Sequence, residues 1–167
     1  MAYFLIIAAA FLRLIPHPPN FAPIAAIALF SAVYLNKKYA LLVALSAMLI
    51  SDAFLGFADL WVTVSVYGSF LLIGIVGFWL KKNKNAQNLI GASLSASIIF
   101  YLLTNFAVWA ATSWYPKTFS GLILCYEMAI PFFRNTIFGD LFYVGALFGL
   151  YELATFLWYN RVKQRKI

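Results

Sequence analysis

Charge is what this chain has least of. Charged side chains make up 10% of its 167 residues, with 12 Lys or Arg against 5 Asp or Glu. A soluble domain carries about 25%, and so thin a supply cannot cover a water-facing surface. Apolar residues reach 65% and the mean hydropathy is +0.90, which makes the chain an integral membrane protein and excludes most soluble enzyme classes. A single cysteine, Cys125, excludes a disulfide within the chain and CxxC chemistry. A single histidine, His17, excludes HExxH and any multi-histidine cage, so neither a metal site nor a cofactor is expected. The phosphate-binding pattern GxxxxGK[ST] is missing, so the chain cannot power itself with ATP. Period-2 alternation is missing too, which argues against a β-barrel.

What is present is long apolar runs punctuated by charge. Candidate spans are about 2–15, 22–36, 39–58, 60–80, 87–114 and 135–160. Basic clusters follow the second span (Lys37, Lys38), the fourth (Lys81, Lys82, Lys84) and the sixth (Arg161, Lys163, Arg165, Lys166). Six crossings put all three clusters on one side, cytoplasmic by the positive-inside rule. The net charge of +7 belongs to those loops and does not suggest nucleic acid as a partner. The first apolar run has no basic residue ahead of it and no obvious small-residue cleavage site, so it reads as retained. The expected fold is therefore an all-α membrane protein, one domain over residues 1–167. It has six transmembrane helices, both termini cytoplasmic, and a short outer or re-entrant helix in 117–133. Taking 117–133 as a seventh crossing would strand the C-terminal basic tail outside.

The first two spans are short, and four prolines crowd the eight residues 16–23 between them. Prolines so dense cannot be regular helix, and irregular backbone within a bilayer survives only in protein or beside a cavity. Placed by helix direction, the remaining polar residues fall at one level in the outer half of the membrane. They are His17 and Asn20 in the proline loop, Asp52, Tyr67, Asn105 with Trp109 one turn on, and Arg134, Asn135, Thr136 and Asp140. Asp at a helix centre costs about 2.5–3.5 kcal/mol on insertion scales, so Asp52 and Asp140 require a proton, a partner or water. Arg13, Arg134 and His17 are the partners at that level; the competing reading is an ion-pair network that only fixes packing. Asp59 reads as a helix N-cap. A carboxylate, amides and aromatic walls suit a flat heteroaromatic or cationic ligand, while Arg13 and Arg134 leave an anionic or zwitterionic one open. Small-residue pairs, Ala22/Ala26, Ala28/Ala32 and Gly145/Gly149, allow close helix approach, within the protein or to a partner.

RLIPHPPNFAPIAAIALFSAVYL, MLISDAFLG, FYLLTNFAVWA and YPKTFSGLILCYEMAIPFFRNTIFGDLFYVGALFG resemble an uncharacterised family of bacterial membrane proteins regarded as transport proteins. That family in turn resembles the substrate-binding S components of energy-coupling-factor (ECF) vitamin transporters. The resemblance implies six helices in a bacterial inner membrane and a pocket near the outer face, with residues 16–23 and 115–134 as lids. It also implies a transmembrane coupling subunit driven by two ATPases. S components dock through Ala-x-x-x-Ala on the first helix; here the spaced alanines, Ala22, Ala26, Ala28 and Ala32, fall on the second. The expected function is capture of a small vitamin-like or heteroaromatic metabolite for uptake, without catalysis. The alternatives are an assembly subunit of a membrane complex and a solitary proton-coupled carrier with Asp140 as its titrating group. A membrane enzyme using His17 with Asp52 or Asp140 stands behind both.

Overall fold

The computed structural model describes residues 1–164; Arg165 and Lys166 of the terminal basic cluster lie outside the described residues. Among the described residues seven helices follow one another: α1 (Ala2–Leu12), α2 (Ile24–Tyr34), α3 (Lys37–Leu55), α4 (Leu60–Lys82), α5 (Ala86–Ala111), α6 (Phe119–Met128) and α7 (Ile130–Gln164). No strand occurs among the described residues. Starts are set by side-chain caps. Asn36 accepts from Lys38 N at 3.0 Å, Asp59 from Trp61 N at 2.9 Å, and Asn85 from Asn88 N at 2.8 Å. The cap role expected of Asp59 is thus met. Gly56, at φ 93°, ends α3 in a conformation that side chains avoid.

Four helices, α3, α4, α5 and α7, are long and apolar enough to cross a membrane; α1, α2 and α6 are shorter. Their outward faces carry Leu42, Ile50, Phe54, Ile75, Leu150 and Phe156, all exposed. A surface so apolar is stable against lipid and not against water. The chain is a multi-pass helical membrane protein.

The short α2 is the centre of the fold. It is apolar all round, every residue from Ile24 to Val33 is buried, and it packs against α1, α3, α4, α5 and α7. At 11 residues it extends about 16 Å. Its small residues are used inside the protein. A Cβ at Gly77 of α4 would lie 2.6 Å from Ala32 Cβ. Ala26, Ala28 and Ala32 are at most 1% exposed and Ala22 lies on the internal cavity, which corrects the reading of this quartet as a partner-docking stripe. An aromatic seam of Phe30, Tyr34, Phe148 and Tyr151 holds α2 to α7.

At the end of the bundle carrying the basic clusters, polar contacts tie the helices together. Lys84 pairs with Glu152, which also accepts from the Tyr34 hydroxyl, and Lys81 Nζ donates to Leu35 O at 3.0 Å. At the opposite end α7 starts five residues before the expected 135. Pro131 is the reason. It cannot continue α6, but its missing N–H is harmless in the first turn of a new helix. The two helices therefore abut at Ala129, and Arg134 lies within α7 rather than before it, with Asn135 a turn inside rather than at its start.

Candidate functional site

The proline loop and the ends of α1, α3, α4, α5 and α7 bring polar side chains together in two layers. Arg13, just past α1, builds the first. Its Nη2 lies 2.6 Å from Asp52 Oδ1 on α3. Its Nη1 donates to Ser51 Oγ, and to Met48 O at 3.3 Å. Tyr67 on α4 donates to the other Asp52 oxygen at 2.9 Å. Both oxygens of Asp52 are thus engaged, and three helices are tied by one carboxylate.

Asp140 forms the second layer across the bundle. It is 3% exposed, and its Oδ2 accepts from Ser97 Oγ of α5 at 2.6 Å. The described residues form two ion pairs, Arg13–Asp52 and Lys84–Glu152, and neither involves Asp140. Between the layers lies a cavity of about 190 Å³, lined by Arg13, His17, Asn20, Thr136 and Asp140 together with Met48, Phe70 and Phe100. A second lobe of about 210 Å³ shares Asn20, Val66, Phe100 and Thr136 with it and adds Tyr101, Thr104 and Asn105. Phe70 and Phe100 stand 5.4 Å apart, and Tyr101 stacks on Phe133 at 4.3 Å. Among the described residues no three potential metal ligands gather, so the cavity holds no chelating set.

The proline loop covers the first lobe and is fastened to α7. Asn135 Nδ2 donates to Pro19 O at 3.0 Å. Phe21 packs on Phe142 and Tyr143. Gly139 lets the loop backbone approach, since a Cβ there would lie 3.1 Å from Phe21 Cα. Asn20 takes φ 62°, which Asn tolerates better than most residues, and the turn carries its side chain to both lobes. His17 Nδ1 donates to Pro18 O at 2.9 Å, which leaves Nε2 as the free nitrogen.

The residues expected at one level therefore divide. His17, Asn20 and Asp140 line the first lobe and Asn105 the second. Asp52 and Tyr67 stand behind Arg13, and Asn135 fastens the loop. Trp109 and Arg134 fall outside both lobes. Trp109 lines neither lobe: its Nε1 donates to Pro116 O at 2.9 Å and Lys117 lies over its ring, so it anchors the turn between α5 and α6. Arg134 is exposed, with its guanidinium 5.8 Å from the Phe138 ring centroid, and lines neither lobe. Sequence reasoning missed Ser97, Ser51, Phe70, Phe100 and Tyr101. Ser93 and Ser97, four residues apart on an apolar helix, were a signal for the first of these; the aromatics carry none in so aromatic a chain.

Fold and cavity define the class: a multi-pass helical membrane protein with a polar-lined cavity under a proline-rich loop. The chain belongs to a family of unknown function, DUF6580, which matches residues 1–164. No curated protein and no solved structure matches the chain. The family match carries no activity and no link to the ECF S components.

Proposed function

We propose that this protein is a capture subunit for uptake of a small vitamin-like or heteroaromatic metabolite, similar in plan to an ECF S component. The observation that carries the reading is the two-lobed cavity. Polar groups within an apolar bundle are costly, yet here the buried Thr136 and Asp140, the half-buried His17 and Asn105 and the exposed Asn20 line two adjoining cavities. A ligand that meets those groups gives them a purpose that helix packing alone does not. In this reading the chain crosses a bacterial inner membrane six times, with both termini cytoplasmic and α1 and α2 as a short pair. The proline loop then roofs the pocket on the outer face. A coupling subunit with two ATPases supplies the energy. It meets a surface other than the α2 alanines, which are internal.

A second reading, a solitary proton-coupled carrier, draws on Asp140, a buried acid without a basic partner among the described residues. Uptake by cells carrying this chain separates the two. A capture subunit loses uptake when the ATPase module is deleted; a solitary carrier loses it when the proton gradient collapses.

Capture itself is tested by screening water-soluble vitamins and related heterocycles for thermal stabilisation of the purified full chain. Val66 borders both lobes, so Val66→Trp plugs them. A compound is expected to raise the melting temperature of the wild type and leave the plugged variant unmoved. Equal stabilisation of both would place binding elsewhere.

A further inference from the structure

The charges around the first lobe are unequal in what they have left to offer. Arg13 is committed. Its guanidinium holds Asp52 at 2.6 Å and also donates to Ser51 and to Met48 O, so an incoming anion would have to take it from a carboxylate already in place. Arg134, the other arginine at this level, lies over Phe138 on the surface. His17 donates through Nδ1 to Pro18 O and presents Nε2, an acceptor in the neutral ring. Asp140 faces the same lobe, is 3% exposed, and receives one hydrogen bond, from Ser97. A carboxylate in low-dielectric surroundings needs a proton or a cation close by, and no side chain of the described residues supplies the cation. Phe70 and Phe100 stand on the same lobe, and aromatic faces attract organic cations. A bare hard metal ion does not fit, because it takes about six oxygen ligands and the lobe offers one carboxylate.

Resting on the capture reading, we propose that the first lobe takes a small planar organic cation bearing N–H donors, of amidinium type. Asp140 is its counter-charge, Asn20 and His17 Nε2 accept further N–H groups, and Phe70 and Phe100 form its aromatic wall. Anionic ligands are excluded by the Arg13–Asp52 pair, which leaves the lobe no uncommitted positive charge of its own while His17 is neutral.

Three probes of one ring and three charges test this directly: benzamidine (cationic at neutral pH), benzamide (neutral) and benzoate (anionic). Each is titrated calorimetrically into the full chain in lipid nanodiscs. Benzamidine is expected to bind at least about tenfold tighter than benzamide, and benzoate not measurably. Asp140→Asn is expected to erase the preference for benzamidine, whereas Glu127→Gln, which removes an exposed acid, is expected to keep it. Benzoate or benzamide binding as well as benzamidine overturns the proposal and leaves capture standing. So does a preference that survives Asp140→Asn. If that variant fails to fold, the wild-type ranking decides alone. If none of the three binds, the cation assignment is overturned. The capture reading is then judged separately, by whether any compound stabilises the wild type and not Val66→Trp.

Discussion

The Arg13–Asp52 pair is the contact on which the most structure converges. It links the end of α1 to α3, and through Tyr67 to α4. Removing one member of a largely buried pair strands the other, at a cost of about 3–5 kcal/mol. Asp52→Asn is therefore expected to lower stability by about 3 kcal/mol in detergent unfolding, near the low end because Arg13 keeps some exposure. Tyr67→Phe is expected to cost about 1 kcal/mol, and Arg13→Met with Asp52→Leu to recover much of the single-variant loss. A neutral Asp52→Asn would mean the pair does not hold the helices. The hydroxyls of Ser31 and Ser93 are the opposite case, buried without a hydrogen-bond partner among the described residues. Ser93→Ala is expected to be neutral or to stabilise by about 1 kcal/mol; a clear loss would show that the hydroxyl has a partner such as bound water.

At the scale of elements, the close approach of α2 and α4 sets the shape of the core. Gly77→Ala forces a methyl against Ala32 and the Leu29 backbone. It is expected to cost about 1–3 kcal/mol by overpacking. Gly91→Ala on α5, where the added methyl meets open space, is expected to gain up to about 1 kcal/mol of helix propensity. Thermal unfolding of both variants checks the contrast, and equal effects would contradict the packing described. The same scale shows what was legible in the sequence. Hydropathy and charge spacing placed the helices to within a few residues, because caps such as Asp59 are local signals; Gly56, which ends α3 short of the expected 58, was passed over. The proline loop pointed to the cavity because Pro cannot extend a helix. The burial of α2 was not legible, since a run apolar all round looks the same against lipid and against protein. Trp109 and Arg134 were misplaced for a related reason. Helical spacing tells which residues share a face but not which neighbour that face meets, and the early stop of α5 and the early start of α7 turned both residues to other partners.

For the whole molecule, the two ends of the bundle differ in kind. One carries the exposed Lys84–Glu152–Tyr34 cluster, and the other holds two adjoining cavities beneath a fastened loop. That asymmetry is what a protein that captures a molecule on one side of a membrane requires. The most direct test is mass spectrometry of small molecules released from the full chain after purification in native lipid nanodiscs, run beside Val66→Trp. The account predicts a low-mass compound carried by the wild type and missing from the plugged variant. The same load in both, or none in either, would contradict it.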